Sequence, residues 1–272
     1  MYKVIRNIIP KAICFEAIEK IKIISKKTII VKKKDSYGEF AMQMPEYNDF
    51  MCSEEIKNIL FSEELIKRIK EEVGKFTFIN FVQCKINGFG ADVHRDGQSF
   101  GFSYEALKKS SSIIKVLFYL YPAIKIPNSH GLDVNLIDLN LKNIFYNKRI
   151  YMKINFFYEY YLRSRLMKNL KLNLGDVIIM DNNTWHRASI NKFRQKSYEN
   201  FECQKIFFQY EIVKNEDKTL VDFYSRHIND NFRKIDETQS ENEINVNLLD
   251  QKYRNIFLDQ GLDVQEVLPL NS

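Results

Sequence analysis

The spacing of apolar residues along this chain changes character near residue 75. Upstream it is helical: from Ser53 onward, Ile56, Ile59, Leu60, Leu65, Ile66, Ile69 and Val73 fall three or four positions apart, which gathers them on one helix face. Ser53 and Ser62 are placed to act as N-caps, and Gly74 stops the run, since a serine oxygen can accept an unpaired first-turn N–H and glycine tolerates the backbone that ends a helix. Earlier still, short apolar pieces are separated by charge. One of them, KKTIIVKKK (26–34), reads as an edge strand whose lysines discourage pairing with a second chain.

Downstream the period shortens. FTFINFVQCKI (76–86), SIIKVLFYLY (112–121), DVIIM (176–180) and KIFFQYEIV (205–213) are short, rich in β-branched and aromatic residues, and bounded by turn signals. Strands of this kind without regular intervening helices predict an antiparallel double sheet or barrel, not alternating β-α units. The basic and aromatic segment 141–171 has no clean period and interrupts the strands as a helical insertion or lid. From Asn215 the polarity is mixed, and the chain is expected to wrap the core as helices. Residues 1–225 then form one domain with an N-terminal helical flank, and 226–272 a C-terminal helical appendage or tail.

The 272 residues, 45% hydrophobic, suffice for one sizeable core. No apolar run approaches the roughly 20 residues that cross a bilayer, and Lys11, Glu16, Glu19 and Lys20 interrupt the apolar start, so neither membrane insertion nor secretion is expected. Cys14, Cys52, Cys84 and Cys203 lie far apart with no Cys-x-x-Cys pair. They read as thiols of a reducing cytosol, not a disulfide frame or zinc site. The net charge of +6 is uneven: residues 1–34 carry ten Lys/Arg against two Asp/Glu, whereas 215–272 carry six against twelve. Such runs describe solvated faces, so a monomer acting on a small molecule is expected before a nucleic-acid binder.

Two segments carry chemistry. In NGFGADVHRDGQSF (87–100), His94 and Asp96 are two apart, and an extended chain points i and i+2 to the same side. In LNLGDVIIMDNNTWHRAS (172–189), a Gly175-Asp176 turn, a short strand and an Asp181-Asn182-Asn183 turn lead to His186. Two imidazoles and one carboxylate with other coordination positions open suit Fe(II) and oxygen chemistry. Arg95 would point away from such a metal, Trp185 would pack the core edge, and Arg187 would pair with an acidic neighbour. His130 reads as a surface-turn residue and His227 as structural or exposed.

Taken together, VHRD, GDVIIMDNNTWHRAS and QKIFFQYEI resemble the phytanoyl-CoA-dioxygenase-like branch of the 2-oxoglutarate/Fe(II) oxygenases, over residues 76–213. The resemblance implies a mainly β chain with flanking helices around a double-stranded β-helix, the jelly-roll or cupin-like core. It also implies that His94, Asp96 and His186 are the catalytic metal ligands, and that Fe(II), 2-oxoglutarate and O₂ are used to hydroxylate a substrate. Asp96 argues against halogenation, where chloride takes the carboxylate's place. The family holds the far carboxylate of 2-oxoglutarate with an arginine about ten residues past the second histidine, where the last core strand begins. Here that stretch is longer and the strand opens at Cys203-Gln204-Lys205. Alternation puts Lys205, Phe207 and Gln209 on one face, making Lys205 the first candidate. Arg194, with Lys196 near it, has the family-like spacing but lies in a polar loop. Ser189 is a further candidate contact to the co-substrate. The basic insertion favours a small anionic metabolite. A nucleic-acid-modifying oxygenase and an inactive jelly-roll binding module are the alternatives, and the first lacks the arginine pattern such enzymes carry after the second histidine.

Overall fold

The structure is a computed structural model and describes residues 2–26, 28, 30–35, 38–43, 45, 47–86, 93–96, 109–121, 131–135, 167–189, 205–214, 218–222 and 249–266. Among them, a larger sheet runs in the order β1 (Tyr2–Ile5), β8 (Val177–Asp181), β5 (Ile113–Leu120), β10 (Ile206–Lys214), β4 (Phe76–Ile86), β3 (Gly38–Gln43) and β2 (Ile30–Asp35). β11 (Asp263–Glu266) joins it parallel to β4. A smaller sheet orders β7 (Met167–Leu170), β6 (Leu132–Asn135) and β9 (His186–Ala188), all antiparallel. The two sheets form the expected jelly roll. β2 sits at the end of the large-sheet path, which is the edge position that KKTIIVKKK predicts.

Strand parity sorts the core into two layers. On β5, Leu117 and Tyr119 face the small sheet, where they pack with Leu132, Val134, Leu170, Ile178, Met180 and Phe207. Ile114, Val116, Phe118 and Leu120 face the other way, toward the helices. Both faces of β5 are therefore buried along its whole length, which explains a run with little polar alternation. On β10, Phe207 faces inward while Ile206, Phe208, Tyr210 and Ile212 face the helices, as the sequence parity requires.

The helices cover the outer face of the large sheet. α1 (Lys11–Ser25) buries Cys14, Ala17, Ile18, Ile21 and Ile24. The helical run from Ser53 breaks at Phe61-Ser62 into α3 (Glu54–Leu60) and α4 (Glu63–Val73), preceded by a short α2 (Tyr47–Met51). Ser62 caps α4 by accepting from Leu65 N at 3.4 Å. Ser53 instead donates its hydroxyl to Glu55. Gly74 ends α4 at φ +83°. None of the described helices is long and apolar enough to cross a membrane.

Two elements differ from the sequence reading. Met167–Leu170, expected as the end of the 141–171 insertion, is core strand β7, paired to β6 from Leu132↔Leu170 to Asn135↔Met167. Its four residues carry too little alternation to stand out beside an aromatic, basic neighbour. Residues 136–166 lie outside the described residues. The C-terminal segment is part of the main body: α5 (Gln251–Asp259) inserts Tyr253 and Phe257 into an aromatic group with Phe61, Phe78 and Tyr210, Phe257 stacking on Phe78 at 4.7 Å. Lys57 pairs with Asp250, and Tyr253 donates to Glu54 at 2.7 Å, so α5 is tied to α3. β11 then returns as a strand, where a helix was expected.

The N-terminal strand is fastened by the turn that precedes β8. Ile9 N donates to Gly175 O at 3.1 Å, and the buried Asp176 carboxylate accepts from Arg6, from Asn7 N and from Asn173 N. Gly175 has φ +92°, and a Cβ there would lie 2.2 Å from Ile9 O. Gly175→Ala should therefore destabilise the protein by roughly 2 kcal/mol or more, through left-handed strain and displacement of the Ile9 segment. Urea denaturation checks this; a change under about 0.5 kcal/mol would show that the Gly175–Ile9 approach is not a constraint.

Candidate metal centre

The site is built where the two sheets face each other. His94 and His186 exchange both backbone hydrogen bonds, His94 N to His186 O at 3.0 Å and His186 N to His94 O at 2.9 Å, in an isolated antiparallel bridge. This lays the His94 segment along the edge of β9 that β6 leaves open. The Asp181-Asn182-Asn183 turn then aims β9: Asp181 Oδ1 accepts from Asn183 N and Thr184 Oγ1, both at 3.0 Å. Asn135 N donates to Trp185 O from the opposite side.

The three predicted ligands converge. One donor atom from each of His94, Asp96 and His186 lies within 4.8 Å of the others, and the two imidazole rings are 4.4 Å apart between centroids. Asp96 Oδ2 is 3.3 Å from His186 Nε2, and Oδ1 is 3.8 Å from His94 Nε2. His186 Nδ1 lies 2.9 Å from Thr184 O. A carbonyl can only accept, so Nδ1 carries the proton and Nε2 is left with its lone pair toward Asp96. Burial pushes the His186 pKa down to about 4, against the attraction of Asp96, so the ring is neutral and able to ligate. Burial works to raise the Asp96 pKa, but the attraction of the Lys115 ammonium outweighs it and keeps the carboxylate ionised. The neutral His186 ring, the half-exposed His94 imidazole and the anionic Asp96 carboxylate together make a donor set that fits a divalent iron-type ion.

Arg95, between the ligands, turns away and lies 4.9 Å over the Trp185 ring, as expected for the intervening residue of an extended stretch. Arg187 pairs with Asp133 across β9–β6 at 3.0 Å. Asp133 also accepts from Asn169 at 3.0 Å and from Ser189 at 2.7 Å. Ser189 therefore has its hydroxyl in the Arg187–Asp133 network, on the face of the small sheet opposite His186. Lys205 is buried just before β10, donates to Gly131 O and lies 4.7 Å from the centre of the Tyr119 ring. Burial lowers its pKa to about 7, with Asp133 acting the other way. Arg194, Lys196, His130 and His227 lie outside the described residues.

Sequence reading missed Lys115 and Glu211. Lys115 Nζ is 2.9 Å from Asp96 Oδ2 and 3.4 Å from Glu211 Oε1, with both side chains buried. The available signal was a lone lysine inside SIIKVLFYLY with the same parity as Tyr119.

Compared by sequence, the chain matches no family model and no curated protein. Compared by structure, it is similar to the non-haem alpha-ketoglutarate-dependent epimerase SnoN from nogalamycin biosynthesis, with TM-score 0.51 and 10% identity over 78% of this chain and 77% of that one. SnoN in complex with Fe³⁺, alpha-ketoglutarate and nogalamycin RO gives TM-score 0.51 and 11% identity over 78% of each chain. The carbocyclase SnoK from the same biosynthesis gives 0.49 at 12% identity, over 78% of this chain and 79% of that one. The chain thus has the double-stranded β-helix fold found in 2-oxoglutarate/Fe(II) oxygenases, with a His-Asp-His cluster in its barrel.

The neutral His186 has a consequence for acid stability. Its folded pKa, about 4, lies below the ordinary value of 6.5, so the unfolded chain takes up a proton first as pH falls. Metal-free protein should lose roughly 2–3 kcal/mol of stability between about pH 6.5 and pH 4, and none from this group above pH 7. Urea midpoints across that range test the slope, which His186→Gln should flatten. An unchanged slope in the variant would mean the ring is not buried neutral.

Proposed function

We propose that this chain is an Fe(II)- and 2-oxoglutarate-dependent dioxygenase that hydroxylates a small anionic metabolite, in the manner of the phytanoyl-CoA-dioxygenase-like branch. The observation that carries this reading is the convergence of His94, Asp96 and His186 with the His186 tautomer already set by Thr184. Iron held there would supply the redox chemistry, coupling decarboxylation of 2-oxoglutarate to succinate and CO₂ with activation of O₂. The chain's own residues bind and orient. His94, Asp96 and His186 would hold the metal, which would supply the place where the 2-oxo acid and O₂ meet. Leu117, Tyr119, Val134 and Phe207 form a buried apolar cluster on the inward faces of β5, β6 and β10, the kind of surface that limits water beside a reacting centre.

Lys205 is assigned the far carboxylate of 2-oxoglutarate. It lies where the last core strand begins, on the inward side with Phe207, and its ammonium can meet an anion where little water competes. The anionic substrate is argued from charge: the basic residues of 141–165, such as Lys142, Arg149, Lys153 and Arg163, precede β7 in sequence. SnoN, an epimerase, shares the fold, so oxidation at a substrate C–H without hydroxyl transfer is the second reading, and product analysis separates the two.

Four measurements test the proposal. Wild-type protein should form succinate from 2-oxoglutarate only with Fe(II), and His94→Ala or His186→Ala should abolish tight Ni(II) binding in calorimetry, because two remaining donors hold a divalent ion poorly. Lys205→Ala should raise the 2-oxoglutarate KM about ten-fold or more, as loss of a charge-assisted contact does, while Arg194→Ala changes it little; the opposite ranking would move the anchor to Arg194. Since the unliganded Lys205 titrates near 7, 2-oxoglutarate affinity of the Ni(II) protein should weaken as pH rises above about 7, and Lys205→Arg should remove that slope. A flat profile in wild type would sink the assignment.

A further inference from the structure

Lys115 and Glu211 are direct register partners on β5 and β10. Neither is used by the metal triad or by the co-substrate anchor. Lys115 follows Ile113 and Ile114 and precedes Val116, Leu117 and Phe118, and its side chain is nine-tenths buried. An ammonium removed from water at such a place is costly unless carboxylates meet it. Two do: Asp96 Oδ2 at 2.9 Å and Glu211 Oε1 at 3.4 Å. Glu211 is itself buried, and its Oε2 has no hydrogen-bond partner among the described residues. The arrangement is therefore a line of three charges, Glu211–Lys115–Asp96, running from the wall of the large sheet to the carboxylate that faces both imidazoles.

A core lysine that served packing alone could be replaced by an apolar side chain of similar length. This one reaches across the barrel, from the strand it occupies to a residue on the segment that carries His94. Asp96 belongs to that short segment, which is joined to β9 through the His94–His186 bridge. The bridge fixes the backbone at His94, while the direction of the Asp96 carboxylate, two residues on, is set by what its oxygens meet.

We infer that Lys115 is a positioning residue for the metal: its ammonium holds Asp96 by Oδ2 with the carboxylate turned toward His94 and His186, and Glu211 holds the ammonium in register. The inference rests on the triad being a metal centre, as proposed above. An oxygen already engaged by an ammonium is a poorer second donor, so Asp96 would offer a metal one strong oxygen. Outer partners of ligating carboxylates commonly change metal affinity 10–100-fold when removed.

The test uses full-length protein with Ni(II) in titration calorimetry and Co(II) in absorption spectroscopy, neither of which needs turnover. Lys115→Met alone would leave Asp96 and Glu211 facing each other without a cation, so the informative variant is Lys115→Met/Glu211→Gln, which removes both charges together. It should melt within a few degrees of wild type, bind Ni(II) about ten-fold or more weakly, and show a changed Co(II) spectrum. Lys115→Gln/Glu211→Gln, which returns an N–H donor near Oδ2 without the charge, should recover part of the lost affinity. Wild-type Ni(II) affinity and an unchanged Co(II) spectrum in the folded Lys115→Met/Glu211→Gln variant would overturn the role of Lys115 while leaving the metal centre intact. Failure of wild type to bind Ni(II) would overturn the metal-centre reading and this inference with it.

Discussion

Two backbone hydrogen bonds between His94 and His186 determine what this barrel can do. The residues are 92 positions apart, 186 − 94, and their reciprocal N–H···O contacts make them neighbours across one ladder step. Facing residues on adjacent strands hold their side chains about 5 Å apart, which is the separation two imidazoles need to share one ion. Much of the local architecture serves that contact. β6 supports β9 on its other side, the Asp181 turn sets where β9 begins, and Thr184 O fixes which ring nitrogen of His186 is protonated.

The second constraint is charge inside an apolar barrel. Among the described residues, two lysines are buried there, Lys115 beside Asp96 and Glu211, and Lys205 beside Gly131 O and the Tyr119 ring. Their environments drive them in opposite directions. Burial lowers the Lys115 pKa, but Asp96 and Glu211 outweigh it and keep the ammonium protonated. At Lys205 burial prevails, and its pKa falls to about 7. One cation is thus held charged by the frame, whereas the charge of the other is marginal.

The outer layer makes this interior possible. β5 and β10 can carry charged inner faces because their other faces are closed by α1, α3, α4 and α5 through Ile114, Phe118, Phe208 and Tyr210. Residues from both ends of the chain take part. β1 pairs with β8 beside the Gly175 turn, and α5 completes the aromatic group around Phe61 and Phe78. Truncating a side chain as buried as Phe257 would cost roughly 3–5 kcal/mol, which marks this C-terminal segment as part of the folding unit.

The sequence by itself determined whatever depends on local repetition. Helical spacing located α3 and α4 with the Ser62 cap, apolar β-branched runs located β4, β5, β8 and β10, and strand parity placed Lys205 with Phe207. The candidate metal ligands were legible because His94 and Asp96 are two apart in an extended stretch, and because Gly175-Asp176 and Asp181-Asn182-Asn183 bracket the strand before His186. Tertiary structure alone decided which strands meet. β7 and β11 are four residues each, too short for a period, and are strands because β6 and β4 offer them partners. Lys115 reads locally as an interruption in an apolar strand, and Ser189 as a neighbour of His186. Only pairing of β5 with β10, and of β9 with β6, shows that one meets Asp96 and Glu211 and the other Asp133. Periodicity states which side of its own element a residue occupies, whereas the charge or hydrogen bond that gives the residue a role comes from a chain segment tens of positions away.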